Sequence, residues 1–452
     1  LSVCNQVQDP EVYLSQCRAT LSGSETASAC LSFDFAQYYL PDTPSIRLIA
    51  LVEYTADRVS RLLLARYSPE VEHQFCAQDF DFEELAQGLA LPCFDLDRAL
   101  PLTPIHIAKP WGQEIWFTGV EERGQSLIGD GKHSIPLPWL LALLPQQLSN
   151  RRERALNLLK ILDPLPEAVF GDLYFELHQE KQEVYVVTSV DSTAWPEGSG
   201  GIRLGFDSER LAQYPDRDAF VSAFGTAVKD YEAIRRNIDN QIDSFRLEEG
   251  IGLREPVSAE QQKVWLNRID SRLRRQEEQA RQAMDDFKAT LPLRVGDVVK
   301  VPCFTPHSLL HGVRTIEFQT PVYERQIVSF AQKVLTQDHW DTDSALACMN
   351  LVPSTPEPLP VVHCEAGVSV QEVVRFSDFL VRRITLQPGA HYQLPSAPGY
   401  LLAIGLIGTT VVCDTELGGE MAALIGADLT SVQLQNSGDE ESIILISNPV
   451  ES

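Results

Sequence analysis

Two short stretches of the chain concentrate the side chains that could bind a metal. In GDLYFELHQEKQEVYVV, residues 171–187, Glu176 and His178 lie two apart, and Glu183 follows after four intervening residues. Strand residues two apart face the same side, so Glu176 and His178 are expected to point together into one cavity. Glu183, across a short turn, can return to that point from the neighbouring strand. The second stretch, GDVVKVPCFTPHSLLHG at 296–312, places His307 and His311 four apart. On a helix that spacing marks a metal site, but Pro302 and Pro306 oppose a helix here. His311, just past the expected strand end, is predicted to stay out of any ligand set.

The spacing around these residues resembles the paired motifs of the cupin superfamily, G-x5-H-x-H-x3-4-E-x6-G and G-x5-P-x-G-x2-H-x3-N. Gly296, Pro302 and His307 keep the second motif's intervals. Glu176 stands where the first His is usual, Phe304 replaces a Gly, His311 replaces the Asn, and Val190 fills the last Gly position of the first motif. The resemblance implies a double-stranded β-helix, or jelly roll, with Glu176, His178, Glu183 and His307 as metal ligands. Carboxylates and neutral imidazoles suit Zn²⁺, Mn²⁺ or Fe²⁺, with zinc the leading expectation.

Within the cupins the chain is most similar to type I mannose-6-phosphate isomerases (phosphomannose isomerases). The similarity lies in KPWGQEIW at 109–116, in LNLLKILDPLPEAVFGDLYFELH at 156–178, in Lys181-x-Glu183 followed by VYVV, and in GDVVKVPCFTPHSLLHGVRTIEFQTPVYER at 296–325. It implies that Lys181, Glu317 and Arg325 are the active-site lysine, glutamate and arginine. An aldose–ketose isomerase moves a proton between adjacent carbons through an enediolate, whose charge a metal and nearby cations stabilise. Arg325 is permanently charged and suits a phosphate, and Glu317 suits a proton carrier. Two departures bear on substrate. The family has a long loop where only four residues separate His178 from Glu183, and Glu176 replaces its Gln. The added negative charge should tighten the hold on a divalent cation and weaken its Lewis acidity. A cupin that binds metal and carbohydrate in a regulatory role, without turnover, is the alternative expectation.

The surrounding pattern is mainly β with a helical insertion: a cupin core plus a C-terminal β domain. Residues 1–100 read as an α/β region with the strand pair IRLIALVEYT and RLLLARYS. Residues 101–225 and 289–345 read as the catalytic cupin domain, 226–288 as the helical insertion and 361–452 as a cupin-like β domain. QQLSNRRERALNLLKILD, 146–163, reads as a helix, and Cys303 as a core strand residue. In the insertion Val228, Tyr231, Ile234, Ile238, Ile242 and Phe245 recur at helical spacing. A second helix is expected to start at Ser258, in a capping box with Gln261. This hairpin suits either an insertion packed on the β core or a partner-binding coiled coil. The prolines from Pro353 to Pro360 read as a stiff linker.

The 452 residues carry 37 Lys and Arg against 63 Asp and Glu, a net charge of −26. Such a surface argues against nucleic-acid and anionic-membrane partners, and the resemblance implies a small-molecule sugar phosphate as the partner. Nine cysteines without a C-x-x-C, and an N-terminal stretch too polar for a secretory signal, predict reduced thiols and a cytoplasmic location.

Overall fold

The computed structural model describes residues 3–77, 80–150, 156–352 and 357–450. The chain forms two compact units, one from residues 1–105, 116–160 and 359–452, the other from 106–115 and 161–358. This grouping differs from the sequence division at residue 100. Strands Leu100–Thr103, Leu127–Gly129 and Ser134–Pro136 join a nine-stranded sheet with the C-terminal strands. The same unit carries a five-stranded sheet built on the hairpin Ser45–Tyr54 and Val59–Arg66.

The second unit holds the predicted site and is a sandwich of two sheets. One runs in the order Val298–Val301, Glu183–Val190, Val313–Gln319, Leu158–Pro164, Gly112–Trp116 and Ile105–Lys109. The other runs Lys288–Leu293, Gly200–Phe206, His307–Leu309, Phe175–Leu177 and Gln326–Ser329. Tyr185, Val187, Val299 and Val301 from the first sheet share one core with Leu177, Ile202, Leu204 and Leu309 from the second. The β-branched run EVYVVTSV explains why 183–190 is a strand buried on both faces at its start.

Helices cover the outer face of the second sheet. Arg217–Glu248 is capped by Asp216, whose carboxylate accepts from the Ala219 N–H. Its first turns seat Phe220 and Phe224 edge-on against Phe206, and Phe224 against Phe175. Farther along, Ile238 and Ile242 close a separate small core with Trp265 and Ile269. The predicted insertion therefore begins at Arg217 and is packed on the β core as well as on itself. Ser258 caps Ala259–Arg268 by accepting from the Gln261 N–H at 3.2 Å. The Gln261 side chain bonds Glu249 instead of returning to the cap, so half of the expected box forms.

Two sequence expectations need correction, and a third lies partly outside the described residues. Within 146–163 only Pro145–Ser149 is helical and Leu158–Pro164 is a strand, while 151–155 lie outside the described residues. Cys303 sits half-buried in a turn rather than on a core strand. Of the proline linker, 353–356 lie outside the described residues. Among the described residues no helix is long and apolar enough to cross a membrane.

Candidate metal centre

Sheet pairing brings the two sequence segments together. Glu176 lies directly opposite His307 on adjacent antiparallel strands, which puts both side chains on one face. His178 follows two residues after Glu176 and keeps that face. Its carbonyl accepts the Phe304 N–H at 2.6 Å, tying the end of one motif to the turn of the other. Phe304, where a Gly is usual, still adopts the left-handed backbone, with φ 63°. The turn geometry thus persists without the residue that favours it.

Glu176, His178 and His307 each present a ligand atom, and these atoms lie within 4.8 Å of one another. Glu183 reaches the same place from the facing sheet. Its Oε2 is 3.1 Å from His307 Nε2 and its Oε1 is 3.5 Å from His178 Nε2. Glu176 Oε1 stands 3.8 Å from His178 Nε2. His178, Glu183 and His307 are each no more than 2% exposed, whereas Glu176 is half-buried and marks the open side. The structure therefore places all four predicted ligands in one cluster.

The hydrogen bonding leaves ligand atoms at the centre that a cation would suit. His307 Nδ1 lies 3.0 Å from the Thr305 carbonyl oxygen, a pure acceptor, so Nδ1 carries a proton. The ring's Nε2 then faces Glu183 Oε2 at 3.1 Å, a pair of ligand atoms that a shared cation would satisfy together. Both ring nitrogens of His178 and Oε2 of Glu176 are buried without a hydrogen-bond partner among the described residues, which is costly unless something binds them. Burial and the Lys181 charge hold the His178 pKa below the usual imidazole value, leaving a neutral donor. Burial pushes the Glu183 carboxyl up, but Lys181, His178 and His307 outweigh it and hold it well below the ordinary range. Two neutral-capable imidazoles and two carboxylates fit a divalent transition metal.

Around this cluster, Lys181 is buried with its Nζ 2.7 Å from Glu183 Oε1. Glu317 is buried on the central strand, directly opposite Tyr185. Arg325 takes a different course. Its guanidinium lies 4.9 Å from the Tyr174 ring centroid and donates to Thr336 Oγ1, so neither contact engages the cluster. His311 is outside the centre, as expected: Nδ1 is 2.7 Å from Asp172 and the ring stacks on Trp195.

Sequence reasoning missed two contributors. Tyr185 donates to Glu183 Oε2 at 2.6 Å, and strand alternation from Glu183 could have flagged it. Glu324 accepts from the Gln179 and Glu180 N–H groups, pinning the short turn between His178 and Lys181. No local spacing announces that contact.

No family model matches the chain, and no curated protein matches it by sequence. Solved structures do match. The mannose 6-phosphate isomerase from Bacillus subtilis superposes with a TM-score of 0.53 at 12% identity, over 78% of this chain and 99% of that one. The fold is that of the mannose-6-phosphate isomerases. A mutant phosphomannose isomerase from Salmonella typhimurium gives 0.52 at 13% identity, over 78% and 100% of the two chains. A zinc-bound mannose 6-phosphate isomerase gives the same values. At such identity the likeness concerns the fold, and the mannose-6-phosphate isomerase fold is the cupin architecture expected from the motif spacing.

Proposed function

We propose that the protein is a metal-dependent aldose–ketose isomerase of sugar phosphates, with mannose 6-phosphate to fructose 6-phosphate as the first reaction to test. The observation that carries this is the convergence of Glu176, His178, Glu183 and His307 beside the buried Lys181. The zinc-bound neighbour of the same fold supports it. These four side chains would hold the ion, which when bound supplies Lewis-acid stabilisation of a developing enediolate.

The remaining chemistry belongs to side chains of this chain. Glu317, buried and on the strand beside Tyr185, would take the proton from C2 of the open-chain aldose and return it at C1, while the hydroxyl proton on O2 passes to O1. It ends the cycle ionised as it began. Lys181, fixed by Glu183, would place its ammonium near the oxygens where negative charge develops. Burial of both groups limits exchange of the carried proton with water. Arg325 would meet the phosphate after releasing Thr336.

The four-residue turn and the engagement of Arg325 by Tyr174 and Thr336 favour a second reading, a binding protein that holds metal and carbohydrate without turnover. Metal analysis combined with an isomerase assay separates the two. Wild type should hold stoichiometric metal and interconvert the hexose phosphates. Glu317→Gln should keep the metal and lose turnover, and Arg325→Ala should raise KM with metal content unchanged. Bound metal with no turnover on any hexose phosphate would refute the isomerase and leave the binding protein.

A further inference from the structure

Glu183 is gripped at both oxygens. Lys181 Nζ donates to Oε1 at 2.7 Å, and the Tyr185 hydroxyl donates to Oε2 at 2.6 Å. The second side of each oxygen faces an imidazole, His178 at Oε1 and His307 at Oε2. A carboxylate held this way cannot rotate freely about its terminal bond, and each oxygen shares electron density with a fixed donor. Tyr185 itself is immobile. It is 3% exposed, packed within the sandwich core, and its ring centroid is 6.1 Å from that of His307. A phenylalanine would fill the same space, so the hydroxyl is the one feature of this side chain that packing does not require.

We propose that Tyr185 is a positioning residue for the metal centre, using its hydroxyl to fix the rotation of Glu183 and to set how strongly Oε2 binds the cation. The Tyr185 hydroxyl acts through Glu183. This rests on the metal-centre reading above and adds to it a determinant of affinity and ligand field. Partners that orient ligating side chains typically change metal affinity by about 10–100-fold when removed.

The test uses the full-length chain loaded with Co²⁺, whose visible absorption reports ligand geometry. Wild type should bind Co²⁺ and His307→Ala should lose it. Tyr185→Phe should still bind, about tenfold or more weakly, with a shifted visible spectrum and an unchanged far-ultraviolet dichroism. Equal affinity together with an identical spectrum in Tyr185→Phe would overturn the role of Tyr185 while leaving the centre intact. Failure of wild type to bind Co²⁺ would overturn the centre and this proposal with it. Should Tyr185→Phe not fold, 3-fluorotyrosine placed at 185 gives the same decision. Its ¹⁹F resonance should move on adding Co²⁺ or diamagnetic Zn²⁺ to the folded protein, and no movement with Zn²⁺ would overturn the proposal.

Discussion

Replacing Glu176 by glutamine removes one of the two carboxylates in the cluster while keeping an oxygen of similar reach. Two unit charges about 4 Å apart interact by roughly 4 kcal/mol at an effective dielectric of about 20, and a divalent ion doubles that. Most of this is offset by carboxylate desolvation, by the dipole the amide oxygen retains, and by solvent at a side chain that is 17% exposed. A residual of about 1.4–2.8 kcal/mol remains, which is about 10–100-fold in affinity. Competition for Zn²⁺ against a chelating dye, at fixed pH and salt, should show the Glu176→Gln protein binding weaker by that factor. Because the bound ion then carries less ligand charge, it withdraws electrons more strongly, and turnover at saturating metal should rise. Unchanged affinity would refute the placement of Glu176 as a ligand. Weaker binding with lower turnover would refute the argument that its charge damps Lewis acidity.

Away from the centre, a network that runs from His311 through Asp172, Arg203 and Asp285 to Lys288 makes two further predictions. His311→Ala removes the 2.7 Å bond to Asp172, which is left with Arg203 at 3.1 Å and the backbone N–H of residue 311. Denaturant unfolding should show a loss of about 1–3 kcal/mol, with metal content unchanged. Burial raises the Asp172 pKa, but His311 and Arg203 outweigh it and hold it below 3.8. Its contribution is therefore full at neutral pH and lost as the pH falls below that value, and the acid limb should move to higher pH in the mutant. Lys288 is pushed down to about 8 by burial, against the pull of Asp285. Between pH 8 and 10.5 the unfolded chain binds the extra proton, so stability should rise with pH across that window. Lys288→Met should flatten the rise, as read from unfolding midpoints at stepped pH.

What the sequence settled by itself was local. Period-two spacing put Glu176 and His178 on one face, the prolines kept His307 and His311 off a helix, and Ser258 announced a helix start that its hydroxyl caps. The interval from Gly296 through Pro302 to His307 carried the second half of the resemblance to the cupin motifs, and that resemblance implied the fold class. Alternation states which residues share a face, but not which strands become neighbours. Only the sheet decided that Glu176 would lie opposite His307 and that Glu183 would arrive from the facing sheet. The 146–163 stretch shows the same limit in reverse. Its charged and leucine-rich pattern suits a helix, yet Leu158–Pro164 takes a place between two strands of the six-stranded sheet. There, ladder hydrogen bonds and burial outweigh local propensity. The contacts of Arg325 belong to the same class, since Thr336 and Tyr174 reach it only through the fold, whereas the grip of Tyr185 on Glu183, two residues apart on one strand, is local.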